Sequence, residues 1–146
     1  VWGARMISRK GIFAADNPEE FGKRPVARYV IFLTDGDMEP SSTSGSAYGV
    51  ERLDRKVMGG AYNAAVSDGK NTELSRRHDR RFVMACNLAK QSGASIWTIA
   101  FGLSVPQTLE DCASSEDQVS TSANSADLIA KFKEIGKNIG ALRLSQ

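Results

Sequence analysis

Histidine is nearly missing from this 146-residue chain. His78 stands alone, and no serine or cysteine occupies a nucleophile elbow, so a Ser/His/Asp triad has no support. Cysteine is scarce as well. Cys86 and Cys112 are too few for a disulfide scaffold and lack a C-x-x-C metal spacing. They read as two small buried thiols, a bridge between them being reserved for an oxidising compartment. No apolar run approaches the ~18 residues of a membrane span, and the first residues lack the apolar core of a signal peptide. Charge of one sign is lacking too. A net charge of +2 gives no argument for nucleic acid or for an anionic membrane. What is present, 41% hydrophobic and 25% charged residues, excludes a disordered segment and suits a folded domain. The length fits one domain spanning residues 1–146. The chain opens "VWGARMISRKGIF", without Met, in what reads as the last turn of an amphipathic helix. The expectation is a piece of a longer protein, with an anchor or a further domain upstream.

Hydrophobic patterning divides the chain. "ADNPEEFGKRP" (residues 15–25) is a polar loop punctuated by Asn-Pro and Gly. Residues 26–33 form a strand, and its run "YVIFL" is apolar on both faces, as in a covered parallel sheet. Residues 36–71 are a long irregular stretch rich in Ser, Gly and Pro, with one short helical turn in "VERLDRKVMGG". A connection of that length is functional, mobile or inserted. Residues 72–92 are a helix capped by Asn71 or Thr72 and stopped at Gly93, with Phe82, Ala85, Cys86 and Ala89 on one face. "SIWTIAF" (95–101) is a second buried strand, in which Trp97 belongs to the core. A short helix from Pro106 through Cys112, a weak strand in "DQVSTS" and a last helix capped by Asn124 or Ser125 complete the chain. Strands alternating with amphipathic helices predict an α/β fold with a mostly parallel sheet. Ligands of such sheets bind outside the carboxyl ends of the strands. Asp35, Asp37 and the loop after Gly102 stand there.

Three readings compete for "TDGDMEP" (residues 34–40). Asp35 at a strand end can help hold a hard cation such as Mg²⁺, which takes oxygen ligands, though other loops must supply the rest. Asp-Gly is also ordinary turn chemistry. Asp35-Gly36-Asp37 further resembles the D-x-D loop of haloacid-dehalogenase-type phosphatases, in which the first Asp attacks phosphorus and the second is the acid/base. That loop continues with Thr or Val where this chain has Glu39, and "AFGLS" ends the second strand without a carboxylate. The run "RRHDRRF" (76–82) is read as a solvated helix face or a partner surface, since Arg76, Arg77 and Arg80 point away from the apolar stripe.

Taken together, these segments resemble a von Willebrand factor A-type domain, whose apolar strand ending "TDG" supplies an acidic residue to a metal-ion-dependent adhesion site. More narrowly the chain resembles the C-terminal part of TadG-like proteins of bacterial tight-adherence pilus assembly. The resemblance rests on "WGARMIS", "VIFLTDGDM", "AYGVERLDRKVMGG", "CNLAKQSGASIWTIAFG", "LEDCAS" and "LIAKFKEIGKNIGALRL", and covers nearly the whole chain. It implies a partial vWA-like three-layer fold with the first strands missing. It further implies a non-enzymatic, protein-binding role in assembling a surface pilus, outside the cytoplasm and behind an upstream anchor. In such a compartment Cys86 and Cys112 would be bridged. The family's Asp-x-Ser-x-Ser motif does not occur here, so of its metal ligands only Asp35 carries over. This chain is therefore expected to bind Mg²⁺ weakly or not at all, a metal being left to the full-length protein. In the family the TDG strand lies beside the first strand. Without that neighbour, the strand from Arg28 to Leu33 offers an open edge, and a homodimer through it is expected. Neither nucleic acid nor membrane contact is expected of these residues.

Overall fold

The longest buried segment of the chain is Ala94–Phe101 (β6), which carries six buried residues and two half-buried ones. In the computed structural model, which describes residues 1–46, 49–61, 63 and 68–144 (141–144 by backbone alone), β6 is the middle strand of a three-stranded parallel sheet. Its neighbours are Arg28–Thr34 (β3) and Val119–Ser122 (β7). The β6–β7 register runs from Thr98 opposite Val119 to Phe101 opposite Ser122. The chain divides into two compact units, residues 29–36 with 95–146 and residues 1–28 with 37–94.

The first of these holds the sheet. Side chains alternate across a strand, and β6 buries both sets. Trp97 and Ile99 pack with Ile135, and Leu128 and Ile139 close over them, all three from the helix Ser125–Leu144 (α5). On the alternate positions, Thr98 donates its hydroxyl to the Leu109 carbonyl at 3.2 Å. Leu109 and Cys112 are the buried residues of Gln107–Cys112 (α4). Ser114 ties the exit of α4 to the strand, its amide donating to the Ile96 carbonyl and its hydroxyl accepting from the Ile96 amide at 2.9 Å. Full burial of one such aliphatic side chain is worth roughly 1.5–3 kcal/mol. Trp97 is thus a core residue, as its apolar neighbours predict. Asn124 starts α5, its side-chain oxygen accepting the Asp127 amide at 3.0 Å.

The second unit is built on the helix Glu73–Gln91 (α3). Thr72 caps it by accepting the Ser75 amide at 3.1 Å, and Gly93, at φ +84°, takes the left-handed position that ends it. Leu74, Ser75, Cys86 and Ala89 are its buried residues, while Phe82 and Ala85 are half-buried on the same side. Trp2–Met6 (α1) packs against α3. Where a polar loop is expected, Glu20–Phe21 (β1) and Arg24–Pro25 (β2) form a small antiparallel hairpin. Gly22 and Lys23 turn it with φ of +59° and +66°, the signature of a two-residue primed turn.

Among its described residues the long stretch after β3 is irregular as expected, with Gly45–Ser46 (β4), Gly49–Val50 (β5) and a helical turn at Glu51–Asp54 (α2). Of the segment "AYGVERLDRKVMGG", Ala47 and Tyr48 lie outside the described residues. Charged side chains give this stretch its shape by bonding its backbone. The Glu51 carboxylate accepts the amides of Val57 and Met58, Asp54 accepts that of Val50, and Asp68 accepts that of Ser42. Arg77 donates to the carbonyls of Val57 and Met58 at 3.0 and 2.8 Å while pairing with Glu73 at 2.9 Å. The reading of "RRHDRRF" as a wet face is corrected accordingly. Arg80 is exposed, but Arg77 is half-buried and clamps the loop. No helix among the described residues is long and apolar enough to cross a membrane.

Candidate functional site

Parallel strands end on one rim, and β3, β6 and β7 bring three short segments to it. At the first, Thr34 closes β3 with a local turn. Its hydroxyl donates to the Gly36 carbonyl at 3.1 Å and lies 3.4 Å from the Gly36 amide. That use of the threonine leaves Asp35 at the apex of the bend. Asp35 is exposed, and among the described residues its carboxylate has no hydrogen-bond or ion-pair partner. At the second, Gly102 leaves β6 at φ +71° and its amide donates to the Ser122 carbonyl at 2.8 Å. At the third, buried Ser122 donates its hydroxyl to the Asn124 carbonyl. The Gly102 amide and the Ser122 hydroxyl are therefore spent on local structure, and among the described residues at the strand tips Asp35 presents the uncommitted charge.

Asp37 and Glu39 belong to the other unit. Both are held by Lys70, whose ammonium lies 2.9 Å from Asp37 and 3.4 Å from Glu39. The hydrogen bond and charge of Asp37, followed by those of Glu39, raise the Lys70 pKa above its ordinary value. The three side chains are about half exposed, so water and salt screen the pairing and it adds little to stability. Pairing by Lys70 makes Asp37 a closing contact of the loop. Sequence reasoning missed Lys70, which lies 33 residues away from Asp37.

Among the described residues, no three His, Cys, Asp or Glu side chains are grouped to hold a metal ion. One monodentate carboxylate does not make a Mg²⁺ site, so the residues around Asp35 do not by themselves fit the ion.

His78, on α3, is half-buried. Burial, and then the Arg81 cation, lower its pKa below 6.5, against the weaker pull of Glu51 and Asp79. Burial raises the Asp79 pKa above 3.8, with the Asp37 charge adding to it. The sign of the histidine contribution follows. Because the folded pKa lies below the unfolded one, the stability is fully present above about pH 6.5 and is lost as pH falls through the folded value. Asp79 acts oppositely, its contribution being lost as pH rises through its folded value, in a lower window. Urea midpoints are expected to fall between pH 7.5 and 5.5, and His78→Gln to flatten that fall. An unchanged slope in the variant would assign the effect to another group.

Both cysteines are disulfide-bonded, and as the chain contains only these two, Cys86 is joined to Cys112. The expectation of two buried thiols is corrected. Both residues are buried, as that reading required, but oxidised. Comparison of the chain with protein-family models, with curated proteins and with solved structures finds no match.

Proposed function

We propose that this chain is a non-enzymatic, protein-binding domain of vWA-like architecture, and that it serves the assembly of a TadG-type bacterial surface pilus. The observation that carries the reading is Asp35, an exposed, unpartnered carboxylate at the carboxyl end of a parallel strand, where such sheets bind their ligands. The Cys86–Cys112 disulfide supports an extracytoplasmic location, since such bonds persist in oxidising compartments. The sheet order supports a missing neighbour. Its three strands follow chain order without reversal, so the crevice at a topological switch point requires another strand beside β3. Mg²⁺ would then bind at Asp35 only with ligands from an Asp-x-Ser-x-Ser segment in the full-length protein.

The test uses the cell and the purified chain together. Asp35→Ala in the full-length protein is expected to abolish surface pili, seen by electron microscopy, with the protein level unchanged. Wild-type piliation in that variant overturns the strand-tip reading. The chain itself is expected to give no turnover of an aryl phosphate. Turnover abolished by Asp35→Asn would establish the phosphatase reading instead.

The homodimer rests on the same strand. β3 is the end strand of the described sheet, and Ile31 and Leu33 on it are 37% and 42% exposed. An apolar strand on an open edge is a template for another chain. Light scattering is expected to show a dimer at high concentration, and Ile31→Lys with Leu33→Lys to return a monomer. A wild-type monomer at high concentration refutes the dimer without touching the role of Asp35.

A further inference from the structure

A furrow of about 550 Å³ lies within the unit formed by residues 1–28 and 37–94. One wall is the first helical segment, the other is α3, and the turn at residues 10–12 closes one side. It exists because its floor is made of small residues. Ala4, Ala85, Ala89 and Ser92 line it, and none has a side chain long enough to fill the space between two packed helices. On α3 the lining positions are Ala85, Leu88, Ala89 and Ser92, the i, i+3, i+4, i+7 spacing of a helix face prepared to pack against another helix. Large apolar side chains stand at the rim in water, Ile12 83% exposed and Leu88 59% exposed. The charged residues that line the furrow are Arg5 and Lys10, and no carboxylate does.

We propose that this furrow receives the apolar face of an acidic amphipathic helix from a partner protein. The volume is that of a ligand-binding cleft, and the concave, side-chain-lined form suits a helix in a groove. A β-strand would find no sheet edge there to bond. A bilayer surface cannot enter a concavity, although the same two cations would attract anionic lipid. Arg5 and Lys10 set the sign of the partner. They complement carboxylates flanking an apolar stripe and repel lysines in the same place. This surface is independent of Asp35 and goes beyond the strand-tip reading.

The test titrates two synthetic 16-residue helical peptides into the full 146-residue chain. Both carry the same leucine face at i, i+3, i+4 and i+7; one is flanked by Glu, the other by Lys. Calorimetry is the readout, with the fluorescence of Trp2 as a second one. Trp2 is 58% exposed and lies under the Arg5 guanidinium at 5.0 Å, so it reports events at that wall. The acidic peptide is expected to bind at least about tenfold more tightly than the basic one. The pair Arg5→Glu and Lys10→Glu is expected to reverse the order, and Ala85→Leu to weaken the acidic peptide by filling the floor. Equal affinities for the two peptides, or no binding of the acidic one, overturn the proposal. So does binding to phosphatidylglycerol vesicles in place of the acidic peptide. The wild-type comparison of the two peptides decides even if a variant does not fold.

Discussion

Reduction of the Cys86–Cys112 disulfide is expected to lower the unfolding free energy by about 3.5 kcal/mol, the loop-closure entropy of a ring of roughly 26 residues. Domains of this kind have ~5–15 kcal/mol in total, so the melting temperature should fall by about 10 °C. The effect separates cleanly from packing because both sulfurs are buried, Cys112 at 1% exposure and Cys86 at 7%. Reduction leaves the same atoms in place, whereas Cys86→Ala with Cys112→Ala also removes them. The double variant should therefore lose somewhat more than dithiothreitol-treated wild type. Thiol counting under denaturing, non-reducing conditions should give none, and two reactive thiols would refute the bond. The outcome also bears on where the chain works. A bond worth this much survives only where thiols stay oxidised, so a cytosolic reading would leave the domain without a large share of its stability.

What the sequence made legible is what short-range patterning records. The buried run "SIWTIAF" shows β6 to within one residue, and the Thr72 cap and Gly93 stop bracket α3 closely. Both signals are local, being side-chain spacing and backbone conformation at a terminus. The hairpin at residues 20–25 escaped because its strands are two residues long and wholly exposed, so no alternation of burial marks them. The order given to the loop by Arg77, Glu51 and Asp68 escaped for another reason. These are bonds from side chain to backbone, between partners 6 to 26 residues apart, and composition does not register them. At the strand tip the same division holds. The position of Asp35 follows from the apolar run before it and the glycine after it. The pairing of Asp37 with Lys70 follows only from the fold.

Arg28 shows the division at its sharpest, and its removal is the second large effect expected. It lies within the strand that the sequence predicts at residues 26–33, where nothing in the pattern marks an arginine as buried, yet it is 6% exposed. Its guanidinium donates to the Ile7 carbonyl at 2.7 Å and to the Ser92 carbonyl. Ile7 and Ser92 are the C-cap residues of α1 and α3, so one cation satisfies carbonyls at two helix C-termini, where the helix dipole favours positive charge. Burial, and then the Arg9 cation, pull its pKa down against the opposing charge of Glu19, but a guanidinium remains protonated under any ordinary condition. The fork can serve both carbonyls at once. Arg28→Met keeps the stem and strips the donors, leaving the carbonyls of half-buried Ile7 and exposed Ser92 without this partner. The expected loss is about 2–3 kcal/mol. Arg28→Lys keeps the charge but reaches one carbonyl, and should lose about half as much. Urea denaturation of the two variants measures both numbers. A methionine variant within about 1 kcal/mol of wild type would mean that water reaches Ile7 and Ser92 once the arginine is gone, and that the guanidinium is not what holds the ends of the two helices together.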